Sequence, residues 1–534
     1  MRLGRKIAIA AAKLRQLGLR RALGLFRDRA VIRRSPLFDA AWYLANNSDV
    51  ADSGVDPALH YLLFGVSGNR SPSTGFVTDE YLALHADVRA AGVNPLLHYE
   101  RTGRREGRAI SFQDPPACGP DAAAAYAGQQ ASFPARCAHA AAKLRRGERL
   151  KAVFFVSNAA MFPARPLFDA MRASDDFDPF VVVVPDLRWH DGSEMRMMEA
   201  CRAELARTLP PERLAAAARD ARGVWRDVLE DADLVCYPSP YELSAFRYNP
   251  RYSVGRRFLP ISVNYGYYRS AYDRQILCRQ SYAWMWKAFF ECAATLEEYR
   301  RHSPLGGANG EVVGYVKMDA LAAVRPEPHA RKRVLVALHH SVSGGTNDTL
   351  SLANLVRHAD FFRTLPDRFP DIDFVFRPHP FLLKVLARPG QWGEARTARY
   401  VAALRAKPNV FWSEDGDYFR AFAESDACIQ DCGSYLVEYF YTGKPCCYML
   451  KAPADVEAKF APLGKECLAN CYLAYDADAI ARFVADVVVA GNDPMRPARV
   501  AFAGRVMVNY PHAAEAALEH IRSALLAPTG EARA

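Results

Sequence analysis

No apolar run in the 534 residues is long enough to cross a membrane, since a spanning helix needs about 20 consecutive apolar residues. Arginines interrupt the N-terminal apolar stretch, which argues against a cleavable signal peptide. The 12 cysteines lack paired zinc spacing: Cys428 and Cys432 are four apart, and Cys446 and Cys447 are adjacent. Several fall in strand-like runs, which fits the reduced thiols of a cytoplasmic protein better than a disulfide framework. Net charge, too, is missing from most of the chain. Residues 1–34 hold eleven Lys/Arg against one acid, Asp28, and their net +10 equals that of the whole chain. With no nucleic-acid motif beside that charge, nucleic acid is not an expected partner.

What is present is a chain too long for one core, with an ordinary globular balance of half hydrophobic and 24% charged residues. Residues 1–34 predict a basic amphipathic helix, with Ile7, Leu14, Leu17, Leu19, Leu23 and Phe26 interleaved with arginines. That is the pattern of a helix lying on an anionic membrane surface, so the expected location is cytoplasmic, peripheral on the inner face of the plasma membrane. The competing reading is a basic helix packed on the protein's own surface. Residues 35–110 hold a repeat of period 38, in which Phe38, Tyr43, Leu44, Asp49, His60, Tyr61 and Gly65 recur as Phe76, Tyr81, Leu82, Asp87, His98, Tyr99 and Gly103. Each unit reads as two short helices, and the repeated His-Tyr pair suits packing and helix hydrogen bonding better than ligation. The pair resembles a module often attached to bacterial surface-polysaccharide glycosyltransferases. Residues 111–150 read as a linker and a helical hairpin, and 528–534 as a disordered tail.

Two α/β units follow, at 151–325 and 326–527. Strand candidates in the first are Ala152–Val156, Phe180–Val184, Leu234–Tyr237, Phe258–Val263 and Ala288–Ala293, with helices at Leu167–Ala173 and Pro211–Leu229. Those in the second are Val334–Leu338, Phe374–Phe376, Val410–Trp412, Ala427–Gln430 and Cys446–Leu450, and a last helix over Ala513–Leu526 is expected to cross back to the first unit. Strands alternating with helices predict parallel sheets covered on both faces.

The second unit carries the candidate chemistry. Ala427–Gln430 runs into the small-residue turn Asp431-Cys432-Gly433-Ser434 and a helical stretch from Tyr435 to Tyr441. Such a turn can offer backbone N–H groups to a phosphate, with the Ser434 hydroxyl as a further donor and Glu438 one turn on to accept from a ribose. The bland alternative is a βαβ unit in which Ser434 caps a helix and Glu438 lies on its surface. Phe374–Phe376 ends in Arg377-Pro378-His379-Pro380, where two prolines are expected to bar regular pairing. Val334–Leu338 ends in His339-His340-Ser341 before a Ser/Gly/Thr/Asn loop. Ligands of open α/β sheets gather at such strand ends. A metal site at the His pair is a weak alternative, because no further ligand follows at metal spacing.

Arg377-Pro378-His379-Pro380, Ser425-Asp426, Asp431-Cys432-Gly433-Ser434, Glu438 and Gly443-Lys444-Pro445 together resemble the CDP-glycerol glycerophosphotransferases, the teichoic-acid and capsule polymerases. Gly314-Tyr315-Val316-Lys317-Met318-Asp319 looks like a degraded form of that family's inter-domain segment. The resemblance is specific across roughly residues 331–450, weak before that, and absent before Lys151. It implies a GT-B type fold of two facing doubly wound domains, an acceptor-binding first domain, and a donor-nucleotide second domain with no metal or other cofactor. It implies transfer of glycerol- or ribitol-phosphate from a CDP-linked donor to a hydroxyl of a surface polysaccharide or lipid-linked acceptor. The family's catalytic His-Gly pair falls on Tyr265-Gly266, so the histidine is replaced. A tyrosine is a poor base near neutrality, with an ordinary pKa of about 10; Asp273 and Glu291 are nearby in sequence, and Tyr265 reads equally as a wall for sugar faces. The expected catalytic residues are then His379, Arg377 and Tyr265. The expected donor site comprises His339, His340, Ser341, Arg377, His379, Asp431, Gly433, Ser434 and Glu438. Sugar transfer from a nucleotide sugar in capsule synthesis, and a non-catalytic scaffold of polysaccharide assembly, are the alternatives.

Overall fold

Among the described residues, thirteen strands build two parallel sheets. The first holds β1 (Leu150–Val156), β2 (Phe177–Val183), β3 (Leu214–Ala216), β4 (Leu234–Tyr237), β5 (Leu259–Val263), β6 (Lys287–Phe290) and β7 (Gly310–Val312), in the order β3-β2-β1-β4-β5-β6-β7. The second holds β8 (Lys332–Leu338), β9 (Ile372–Pro378), β10 (Val410–Trp412), β11 (Ala427–Gln430), β12 (Cys446–Met449) and β13 (Tyr472–Ala474), in the order β10-β9-β8-β11-β12-β13. Each order reverses once, between β1 and β4 and between β8 and β11, so both sheets are doubly wound and the arrangement is of the GT-B type. This computed structural model describes residues 19–45, 47, 50, 54–65, 70–73, 76, 78, 81–82, 85–106, 108, 110, 120–186, 194–219, 225–237, 244–270, 273, 277, 280–342, 351–414 and 418–527. Ile7, Leu14 and Leu17 of the expected lipid-facing stripe, Asp49 of the repeat, the breakers at 115–119, most of the 342–349 loop, residues 415–417 and the tail lie outside them.

The central strands are continuous apolar runs because helices cover both faces of each sheet: β4, β5, β11 and β12 are buried at every position. The edge strands β3, β7 and β13 are three residues each and partly exposed. The expected helix over Pro211–Leu229 does not form. Pro211–Arg213 is a 3-10 turn, and Leu214–Ala216 joins the sheet beside β2, where ladder pairing overrides the helix preference of alanine. The expected hairpin before β1 is instead one helix, Pro120–Arg145, which the alanine-rich sequence carries through Pro134. Helix Ala513–Leu526 has the expected bounds, and its Ala513, Ala517, Ile521 and Leu525 are buried in the core of the first sheet. Its return passes the outgoing crossing closely. Gly314 has φ 100°, and a Cβ there would lie 2.2 Å from the Val508 carbonyl oxygen, so both conformation and space require glycine.

The repeats place Pro57–His60 and Pro95–His98 as short helices capped by Asp56 and Asn94, each followed by a π-turn that closes at Gly65 or Gly103. The repeated histidines are engaged in packing. Tyr43 Oη lies 3.0 Å from His60 Nδ1, and Tyr81 Oη lies 2.8 Å from His98 Nδ1. Helix Leu19–Arg34 packs on this module: Ile32 is fully buried in its core, Arg29 pairs with Asp56 at 2.6 Å, and Arg101 pairs with Asp28. Phe26 remains 62% exposed. Within the described part, the own-surface reading of the basic helix therefore accounts for one face, and Phe26, Arg27, Arg33 and Arg34 turn outward. No helix among the described residues is long and apolar enough to cross a membrane.

Candidate active site

The boundary between the neighbouring strands β8 and β11 marks the switch point of the second sheet, and the strand ends there carry most of the singled-out residues. Contrary to expectation, the prolines do not bar pairing. β9 stays in register with β8 through Arg377 and Pro378, and the His379 N–H donates to the Leu338 carbonyl at 2.8 Å. The reason is alternation: Phe374 donates toward the β10 side, so the missing N–H of Pro378 falls on that side too, beyond the end of β10 at Trp412. The ladder loses nothing, and His379 is held rigidly beside the end of β8.

Three imidazoles meet at this edge. Ring centroids lie 4.0 Å apart for His340 and His379, 4.4 Å for His339 and His340, and 5.8 Å for His339 and His379. Burial first, and then repulsion from the neighbouring rings, push His339 down to about 3 and His379 to about 4; burial also lowers His340. All three are therefore neutral near pH 7. His339 Nδ1 lies 2.8 Å from Ser341 Oγ, which also accepts from the Leu352 N–H at 2.8 Å. His340 Nδ1 is buried with no hydrogen-bond partner among the described residues. Arg377 is half-buried and donates to Ser413 Oγ at 2.5 Å and to Tyr435 Oη at 3.3 Å.

The turn after β11 divides its residues between holding and presenting. Asp431 is fully buried and accepts from the backbone N–H groups of His339 and Asn354, each at 2.6 Å. It ties the two strand ends together from beneath, so the structure makes it a positioning group where a direct donor contact was expected. Burial pushes its carboxyl up to about 7 against the opposing pull of those hydrogen bonds. Ser434 is exposed and makes no capping bond; the N-cap is Cys432. The helix Gly433–Glu438 is only six residues long and passes into a 3-10 turn, Tyr439–Thr442, ended by Gly443 at φ 69°. Its dipole is correspondingly short.

Glu438 does not face an open ribose position. It is 2% exposed, with one carboxylate oxygen accepting from Tyr315 Oη at 2.9 Å and lying 3.5 Å from Lys317 Nζ, and the other accepting from Tyr418 Oη at 2.7 Å. Tyr315 and Lys317 belong to the inter-domain segment, so Glu438 is an inter-domain tie. The expectation of a surface or ribose-facing carboxylate is corrected by burial: an unpaired carboxylate there would be costly, and three donors satisfy it.

On the first domain, the loop after β5 supplies the other lip. Asn264 is buried and donates through Nδ2 to Glu291 at 2.7 Å and to the Gly266 carbonyl at 2.8 Å, while Oδ1 accepts from Tyr282 Oη at 3.0 Å. Glu291 is 1% exposed, and burial raises its carboxyl to about 7, so it braces the loop from below rather than reaching the cleft. Asp273 likewise turns inward, onto Arg269 and the backbone of Ser270. Tyr265 is half-buried, and its carbonyl accepts from Tyr315 Oη at 2.5 Å. Tyr267 inserts into the core of the second domain, with Oη 2.5 Å from Tyr441 Oη. Arg269, which the sequence reading passed over, reaches across to donate from Nε to the Gly433 carbonyl at 2.6 Å. The only sequence signal was a cation shortly after the glycine of a degenerate motif.

No family model matches the chain, and no curated protein matches it. Solved structures similar to it include a UDP-N-acetylglucosamine 2-epimerase, with TM-score 0.46 and 14% identity over 70% of this chain and 96% of that one. The UDP-GlcNAc 2-epimerase from Neisseria meningitidis bound to UDP-GlcNAc is similar with TM-score 0.43 and 12% identity, over 70% of this chain and 100% of that one. The wall teichoic acid polymerase TagF is similar with TM-score 0.46 and 11% identity, over 70% of this chain and 88% of that one.

Proposed function

We propose that this protein is a transferase that binds a CDP-linked polyol at the second-domain rim and passes its polyol-phosphate to a hydroxyl of a surface polysaccharide or lipid-linked acceptor. The observation that carries the reading is the meeting of His339, His340 and His379 at the switch-point strand ends, with Arg377 tied to Tyr435, the residue after the exposed Ser434. Neutral imidazoles can donate a hydrogen bond to a phosphate oxygen without carrying a charge that burial would oppose. In the reaction, an acceptor oxygen forms a bond to the phosphorus of the polyol-phosphate, and the bond from that phosphorus to the bridging oxygen breaks. CMP leaves with the electron pair, and the hydroxyl proton passes to the leaving phosphate, whose basicity rises as the bridging bond breaks. Arg377, Ser434 and the imidazoles stabilise the charge that grows on the leaving phosphate. Tyr265 serves as a wall of the acceptor groove. The outward face of helix Leu19–Arg34, with Phe26, Arg27, Arg33 and Arg34, supports seating on an anionic membrane surface.

Sugar transfer from a nucleotide sugar is favoured by one observation, the tyrosine at position 265 where the resembling family has its histidine. The products separate the two readings. Polyol-phosphate transfer releases a nucleoside monophosphate, whereas sugar transfer breaks the bond at the anomeric carbon and releases a nucleoside diphosphate. The full chain incubated with CDP-glycerol, CDP-ribitol and UDP-sugars should melt higher with a CDP-linked donor and release CMP when acceptor glycan is added. Release of UDP instead supports sugar transfer; no binding by any donor leaves a scaffold. Sedimentation with vesicles containing phosphatidylserine tests the membrane surface, where the protein should pellet at low salt and be released as salt rises.

A further inference from the structure

Tyr267, Arg269 and Ser270 follow the end of β5 in the first domain, but they are built into the second. The Arg269 carbonyl accepts from the Ala461 N–H at 3.0 Å, Ser270 bridges Phe460, and a Cβ on Gly464 would lie 2.0 Å from the Arg269 carbonyl oxygen. The Arg269 guanidinium is consequently fixed. Nε donates to the Gly433 carbonyl at 2.6 Å, and Nη1 donates to the Tyr267 carbonyl at 2.7 Å and to Asp273 at 3.0 Å. Nη2 makes no hydrogen bond to the described protein, although it lies 3.7 Å from the Cβ position of Gly433, immediately before the exposed Ser434. That same position is 3.7 Å from Leu352 Cδ1, and Leu352 is the residue whose N–H holds Ser341. The guanidinium is therefore on the rim already described, anchored through two nitrogens with the third unengaged.

We propose that Arg269 is a diphosphate-binding residue of the donor site, supplied across the cleft by the first domain; this rests on reading the rim as a nucleotide-diphosphate site. A planar fork whose inner donors are anchored loses little freedom when its outer nitrogen meets a phosphate oxygen. Its charge persists under all working conditions. Burial alone would weaken it, but Asp273 and then Tyr265, Glu438 and Tyr315 outweigh that and raise its pKa. The positive charge reaches the imidazole cluster, since Arg269 is among the groups that hold His339 neutral. The alternative is a staple that only joins the domains through the Gly433 carbonyl.

Phenylglyoxal labelling of the native full chain, with the Arg269-containing peptide quantified by mass spectrometry, distinguishes the two. CDP, UDP and inorganic pyrophosphate should protect Arg269 from labelling, and cytidine, uridine and chloride at equal ionic strength should not. In parallel, Arg269→Gln should weaken CDP or UDP binding by about 10- to 100-fold, the range for a charged hydrogen bond, while nucleoside binding changes little; melting falls as well, because the Gly433 carbonyl and Asp273 lose their partner. Arg269→Lys keeps the charge and serves if the glutamine variant does not fold; it should recover part of the diphosphate affinity. Labelling that no diphosphate prevents, or a variant whose diphosphate and nucleoside affinities fall together, overturns the assignment. If the native chain binds neither CDP nor UDP in calorimetry, the donor-site reading itself fails.

Discussion

The two lips of the cleft are built on opposite plans. On the second domain, His339, His340, His379 and Arg377 sit at strand ends and Ser434 in the first turn of the helix after β11, and their supports lie beneath them: Asp431 under His339, the β8 ladder under His379. On the first domain, Asn264, Tyr267 and Arg269 face inward or across, engaged with Glu291, Tyr441 and the Gly433 carbonyl. One lip presents groups to a ligand, and the other is mostly a strut that joins the domains. Perturbation of the first should therefore change turnover at constant stability, and perturbation of the second should change stability first.

The sharpest way to break this contrast is His379→Ala. Its ring is half-buried and carries no structural hydrogen bond beyond its own turn, where Nδ1 accepts from the Phe381 N–H at 3.1 Å. Turnover should fall on the order of 100-fold or more, with KM for donor little changed, because the partner charge is largest in the transition state. Melting should barely move. Full turnover on a donor that the native enzyme uses would remove the imidazole edge from the chemistry.

Glu438→Gln probes the strut. One carboxylate oxygen serves Tyr315 and Lys317 of the inter-domain segment and the other serves Tyr418 of the same domain, and Lys317 loses its charge partner in the variant. A stability loss of roughly 1–3 kcal/mol is expected, from a buried network left partly unsatisfied. Chemical denaturation measures it. A stable variant with raised donor KM would return Glu438 to the ribose contact that sequence spacing suggested.

That reversal shows where sequence was informative. β11 and the final helix have the bounds expected from pattern alone, because a buried parallel strand is an uninterrupted apolar run and the last helix is amphipathic over its length; β10, a half-exposed edge strand, was legible only because all three of its residues, Val410, Phe411 and Trp412, favour strands. The edge strands β3, β7 and β13 were invisible: three residues, half exposed, with no alternation long enough to register. The site divides similarly. His339, His340, Arg377 and His379 were legible because a strand end is a local feature, read from neighbours in sequence. Whether a carboxylate faces solvent or a tyrosine is not local. Glu438 meets Tyr315 across 123 residues, and Arg269 meets Gly433 across 164. Asp431 is intermediate, correctly placed at the rim but beneath it.

Asp431→Asn tests that placement through pH. Burial raises the folded carboxyl from an ordinary 3.8 to about 7. Between about pH 4 and 7 the unfolded chain has lost a proton that the folded chain keeps, so this group's contribution to stability falls as pH rises through that window. His339 and His379 act oppositely, losing stability as pH falls from about 6.5 toward 4, because their folded values are depressed. Subtracting variant from native isolates the carboxyl. The melting advantage of the native protein over Asp431→Asn should shrink between pH 5 and pH 8. An advantage that grows with pH would mean Asp431 is ionised when folded and faces the ligand.

The smallest effect is expected at Tyr265, and it decides whether the first-domain lip contributes any chemistry. Its backbone holds the loop: the carbonyl accepts from Tyr315 Oη, and the N–H donates to Asn264 Oδ1 at 3.1 Å. Tyr265→Phe keeps both bonds and the aromatic face, and removes only the hydroxyl. A phenol with an ordinary pKa of about 10 is poorly matched to proton abstraction at neutral pH. Turnover should therefore stay within about 3-fold of native, against the 100-fold or larger loss typical of removing a general base. Tyr265→Ala, which also removes the face, should raise KM for acceptor more than it lowers kcat if the ring is a wall on which sugars pack. A hundredfold fall in kcat for Tyr265→Phe, with KM and melting unchanged, would instead make the tyrosine a participant in proton transfer, and the first-domain lip would be catalytic after all.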